Sequence, residues 1–110
     1  MAKQRVEAHE GEYGFDFKFY LKDANGAAYT TLAGTETPTL WLKEPGEDAF
    51  SIGTGSVNDT ATGEIYVAID SSDASDLEEG VYSGQLEIAG AAILLITMEV
   101  EVRIKRRIGS

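Results

Sequence analysis

His9 is the chain's only histidine, and it stands in a polar segment with no nucleophile pattern beside it. Nucleophilic catalysis needs a base held by a third group next to the attacking atom, so His9 reads as a surface residue. The densest set of hard oxygen donors is Asp70, Asp73, Asp76, Glu78 and Glu79, and calcium takes several carboxylate and carbonyl oxygens. The set lacks the Asp-x-Asp-x-Asp-Gly series and distal Glu of an EF-hand. It reads as a solvated loop ahead of a strand, with calcium binding as the alternative. Gly53-Thr54-Gly55-Ser56 has the glycines of a phosphate-cradling loop without the Lys-Ser/Thr pair and helix that supply the mechanism, so a strand bulge is expected there. Asn58-Asp59-Thr60 fits the glycosylation pattern by coincidence in a chain with no export signal. Trp41 with Tyr20 and Tyr66 suggests either an aromatic platform for sugars or, as the expected reading, a tryptophan filling the core or an interface. No residue set implies an enzyme or a cofactor.

Charge disfavours two classes of partner. The formal net charge of −10 and pI of about 4.4 oppose approach to nucleic-acid phosphates or an anionic membrane. From Asp23 to Glu101 there are fifteen acids and one base, Lys43, whereas Arg103, Lys105, Arg106 and Arg107 crowd the C-terminal end. Those four read as a solvated strand end or as a salt-bridged contact with a neighbouring subunit, with a nucleic-acid arm as the alternative. The start of the chain lacks the apolar core of a signal peptide. The longest apolar run, Ala89 to Met98, is too short to span a bilayer and reads as a buried strand.

A length of 110 residues fits one domain, residues 1–110, and with no cysteine its stability must come from burial and hydrogen bonding. Strict alternation places Phe15, Phe17, Phe19 and Leu21 on one face and Asp16, Lys18, Tyr20 and Lys22 on the other. Asp23-Ala24-Asn25-Gly26 then predicts a turn. Arg5 to Ala8 predicts an edge strand, Leu32 an anchor within the connecting segment Tyr29 to Gly34, and Thr37 to Lys43 a strand with Leu40 and Leu42 opposed to Thr39 and Trp41. Phe50 and Ile52 begin a short strand that resumes at Val57 past a bulge. Glu64 to Asp70 alternates again, and a helical turn at Ala74 to Leu77 follows. From Tyr82 the inward set runs Gly84, Leu86, Ile88, a tight reversal falls at Ala89-Gly90, and Ile96, Met98, Val100, Val102 and Ile104 line one face of the last strand.

Leu77-Glu78-Glu79-Gly80-Val81-Tyr82 is a Leu-x-x-Gly-x-Tyr corner. In such a corner the leucine plugs the core, the glycine permits the turn and the tyrosine hydroxyl bonds back to nearby backbone. With about seven short strands and no helical period, it predicts an all-β protein, an antiparallel Ig-like β-sandwich, with a barrel such as an OB-fold as the alternative.

The Phe-x-Phe strand, the Asp-Ala-Asn-Gly turn, Leu32 and Gly34, Thr37 to Trp41, Gly63-Glu64-Ile65-Tyr66-Val67 and the Asp76 to Tyr82 corner together resemble the small Ig-like modules of tailed-phage tail and baseplate proteins. The N-terminal domain of the upper baseplate protein family is similar over about residues 12 to 103. The resemblance implies a non-enzymatic virion structural role, made in the host cytoplasm and docking to copies of itself or to other tail or baseplate proteins. The candidate contact residues are Tyr20, Trp41, Tyr66, Arg103, Lys105, Arg106 and Arg107. A small carbohydrate-binding sandwich is the alternative.

Overall fold

Apolar residues alternate with polar ones through most of the chain, and burying one face of each such segment generates two sheets. The computed structural model describes residues 4–22, 25–27, 32, 34–90 and 96–106. These residues form β1 (Gln4–His9), β2 (Phe15–Tyr20), β3 (Thr37–Lys43), β4 (Phe50–Ile52), β5 (Thr54–Asp59), β6 (Glu64–Ile69), the helix α1 (Ser71–Ser75), β7 (Gly80–Ala89) and β8 (Ile96–Lys105). One sheet has the order β1-β8-β7-β3-β4 and the other β2-β6-β5. Between them Phe19, Leu42, Ile65, Val67, Leu86 and Val102 are each fully buried, and each such side chain contributes about 1.5–3 kcal/mol by leaving water. The described residues form an all-β sandwich of Ig-like layout with eight strands, against about seven expected.

Four expectations are corrected. The residues from Phe50 to Val57 are not one bulged strand: β4 pairs with β3 and β5 with β6, so the chain changes sheets at Gly53. The register irregularity lies further on, between Val57 and Asp59. The helical turn begins at Ser71 rather than Ala74, because Asp70 is an N-cap whose carboxylate accepts from the Asp73 N–H. Pairing of Ile88 with Ile96 replaces the tight Ala89-Gly90 reversal with a longer connection, of which residues 91–95 lie outside the described set. β1 runs parallel to β8, so the sandwich is not wholly antiparallel. Asp23, Ala24 and Tyr29 also lie outside the described residues; Gly26 has φ +83° and Leu32 is buried, as an anchor should be.

The change of sheet needs two glycines. Gly53 has φ +75°, and a Cβ there would sit 2.5 Å from Val67 Cγ1 and 2.8 Å from the Ala68 carbonyl oxygen. At Gly55 a Cβ would sit 2.2 Å from the carbonyl oxygen of Pro38, because β5 passes directly against the start of β3.

β2 is an edge strand, and part of its free edge is occupied by a side chain. The Gln4 amide oxygen accepts from the Tyr20 N–H at 2.8 Å, and the Gln4 amide nitrogen donates to the Tyr20 carbonyl. β1 thus reaches from its own sheet to the edge of the other.

The corner forms as expected. Leu77 is buried, and the Tyr82 hydroxyl accepts from the Glu78 N–H at 2.9 Å and donates to the Glu78 carbonyl at 3.3 Å. Burial pushes the phenol pKa up to about 12, with a hydrogen bond to Glu44 adding to the effect.

Tyr82→Phe is expected to cost about 1–2 kcal/mol in denaturant unfolding. The folded phenol holds its proton more tightly than the unfolded one, whose pKa is 10.0, so its contribution is present below pH 10 and is lost as the pH rises through about 12. Its full size is about 2–3 kcal/mol, and Tyr82→Phe should lack that alkaline component when unfolding is followed against pH. Gly55→Ala should destabilise by about 2–4 kcal/mol by the same unfolding measurement, since backbone rather than a movable side chain blocks the new methyl.

Candidate functional site

Once alternate residues of β1, β8, β7, β3 and β4 are committed to the core, the others must share the outer face of the five-stranded sheet. Register fixes their neighbours. Trp41 of β3 lies opposite Ser51 of β4 and Gln85 of β7, and Gln85 lies opposite Glu99 of β8. In the adjacent outward row Lys43 lies opposite Ser83, Ser83 opposite Glu101, and Glu101 opposite Arg5 of β1. Beyond them Glu87 pairs with Thr39 and Thr97, and Arg103 with Val81 and Glu7.

Trp41 is therefore not a core residue. Its neighbours Leu40 and Leu42 point inward, and its ring lies half-buried on the outer face among small polar side chains. The indole Nε1 is buried and has no hydrogen-bond partner. An N–H shielded from water without an acceptor costs about 1–3 kcal/mol.

The basic end of the chain is partly paired within the molecule. Lys105 Nζ lies 2.8 Å from a Glu7 carboxylate oxygen, and this hydrogen bond holds Glu7 below the usual carboxylate range. Arg5 pairs with Glu101. Arg103 is half-buried with its Nε unpartnered, and Arg106 is exposed; Arg107 lies outside the described residues. On this face Arg5, Lys43, Arg103 and Lys105 balance Glu7, Glu87, Glu99 and Glu101. This face is thus close to neutral on a chain with net charge −10, as is the opposite one, where Lys18 and Lys22 stand against Asp16 and Glu64.

Tyr20 and Tyr66 are elsewhere, on the outer face of β2-β6-β5. Tyr20 lies opposite Glu64, and Tyr66 opposite Lys18. Lys18 Nζ stands 5.4 Å from the Tyr66 ring centroid and Lys22 Nζ 5.9 Å from that of Tyr20, cation–π distances. A hydrogen bond to Glu64 raises the Tyr66 pKa, and the negative charge available on Tyr66 and Glu64 raises that of Lys18. The platform of Trp41 with both tyrosines is not assembled, because the two tyrosines and the tryptophan face away from one another on opposite sheets.

The acidic cluster has local work. Asp70 and Asp73 form a reciprocal capping box, with Asp73 accepting from the Asp70 N–H at 3.0 Å, and the other Asp73 oxygen accepts from the Gly53 N–H at 3.1 Å. Among the described residues no group of three or more His, Cys, Asp or Glu is arranged to hold a metal ion. His9 is exposed, 3.1 Å from a Glu12 carboxylate oxygen. Lys43 was visible in the sequence as the single base in a long acidic stretch, but only strand register places it two strands from Glu101.

Comparison with protein-family models and with curated proteins finds no match for this chain. Among the described residues no helix is long and apolar enough to cross a membrane.

Trp41→Ala is expected to cost less than about 2 kcal/mol in chemical denaturation, against about 3–5 kcal/mol for truncating a core tryptophan.

Proposed function

We propose that the chain is a non-enzymatic structural module of a tailed-phage or prophage virion, of tail or baseplate type, acting by protein–protein assembly. The observation that carries the assembly reading is the outer face of the five-stranded sheet. It is close to neutral on a strongly acidic chain, and a half-buried tryptophan lies on it. Aromatic anchors surrounded by polar residues are the usual make-up of protein contact surfaces. The virion assignment is supported by the resemblance of the strand, turn and corner motifs. Those of its motifs that fall on described residues occupy β2, β3, β6, the start of β7 and the connections that lead into these strands, so they are fold positions whose order suits an Ig-like module. Arg103, Lys105, Arg106 and Trp41 belong to this reading as contact residues; Tyr20 and Tyr66 would serve a second contact on the opposite face.

The test is physical association with particles. Tailed particles banded by density gradient from the strain that encodes the chain should contain it in a fixed ratio to the major tail proteins, measured by mass spectrometry. Finding it only in the unbanded soluble fraction would overturn the virion assignment.

A further inference from the structure

We infer that Asn25-Gly26, in the turn beyond β2, is a self-modification site: the Asn25 side chain loses ammonia through a cyclic imide closed by the Gly26 nitrogen. The product is mainly an isoaspartyl residue, the group that protein carboxyl methyltransferases take as substrate. The inference is independent of the assembly reading above.

The chain has two asparagines, Asn25 and Asn58, and both are exposed. Their successors and settings differ. Asn25 is followed by glycine and lies past the end of β2, in neither sheet. Ring closure needs the nitrogen of the next residue to reach Asn25 Cγ, and glycine has no Cβ to obstruct that approach. Gly26 holds φ at +83°, a region that residues with a side chain rarely enter, so the turn that calls for glycine is the one that permits the reaction. Asn58 lies within β5 at the register shift between Val57 and Asp59, and its amide nitrogen donates to Glu64 Oε1 at 2.9 Å. The nitrogen that would attack there belongs to Asp59, which carries a side chain and pairs with Glu64. No aspartate of the chain is followed by glycine, so the isoaspartyl product has one favoured origin.

Water is the only co-reactant. The Gly26 amide gives its proton to solvent base and its nitrogen bonds to Asn25 Cγ; the Cγ–Nδ2 bond breaks and Nδ2 leaves as ammonia. Proximity drives this closure, because both reacting atoms belong to one short segment. Water then opens the ring at one of its two carbonyls. Opening at Cγ gives aspartate. Opening at the Asn25 main-chain carbonyl carbon gives isoaspartate, in which the chain runs through the side-chain carbon and the former main-chain carbonyl becomes a free carboxylate. Either product adds one negative charge to a chain at −10. The extra main-chain carbon falls between two buried anchors, Leu32 and Leu21, and the Leu21 N–H donates to the Gly63 carbonyl at 2.8 Å. The sandwich is therefore expected to keep its fold after conversion.

The test holds the purified, folded chain for days at neutral and at mildly alkaline pH and maps it by peptide mass spectrometry. The peptide containing Asn25 should gain the mass that replacing an amide by a carboxylic acid brings, faster at the higher pH because the Gly26 amide must lose its proton. Asn58 should convert roughly tenfold more slowly or less, the scale on which misplacing reacting atoms acts. The aged chain should take up methyl groups from S-adenosylmethionine when a protein-isoaspartyl carboxyl methyltransferase is added. Asn25→Gln should abolish that uptake, because its longer side chain would have to close a six-membered ring, and Gly26→Ala should slow it. Circular dichroism checks that each variant, and the converted chain, retains the fold; should the strained Gly26→Ala lose it, Asn25→Gln decides. A folded chain whose Asn25 stays intact overturns the inference. So does conversion of Asn58 at the same rate, or methyl uptake that persists in Asn25→Gln.

Discussion

The Tyr82 hydroxyl satisfies both the N–H and the carbonyl of Glu78, and the placement of β7 depends on that pair of bonds. The chain has no cysteine, so no covalent link joins the layers, and the corner is where it passes from α1 into the large sheet. Leu77 closes the core on one side of the corner. On the other, the Tyr82 ring meets Phe50 of the edge strand β4 edge-to-face at 6.1 Å. β7 holds β8 on one side and β3 on the other, so the position of every outward residue on that sheet follows from it. Burial, with a hydrogen bond to Glu44 adding to it, pushes the phenol pKa of this anchor up to about 12.

Much of the fold was legible because a strand's period of two needs no knowledge of its partner. Phe17, Phe19, Leu40, Leu42, Ile65, Val67, Leu86 and Val100 were assignable to the interior from alternation alone, and all are buried. What alternation does not carry is the sheet to which a strand belongs. Phe50-Ser51-Ile52 and the residues after Gly53 have the same in-out pattern, and only the close passage of Gly53 and Gly55 against Val67 and Pro38 separates them into two layers. The helix was misplaced for a related reason. Its start is set by a carboxylate reaching back to its own backbone, a local competition that hydrophobic spacing does not register.

The candidate face was half legible. That Trp41 opposes Leu40 and Leu42, and that Glu99, Glu101, Arg103 and Lys105 share a side, follows from sequence. That Trp41, Gln85 and Glu99 form one row, and Lys43, Ser83, Glu101 and Arg5 the next, depends on pairings between strands far apart in the chain. The aromatic platform looked plausible for the same reason: three aromatic residues at outward positions need not point outward from the same sheet.

The Gln4 amide stands in for a peptide unit at the border of β2, where it takes up the N–H and carbonyl of Tyr20. An unoccupied strand border is where identical chains template one another into open-ended stacks. Here one such pairing position is already filled by the molecule itself. Strand-by-strand addition of another copy at that position would first have to displace a contact the molecule already makes.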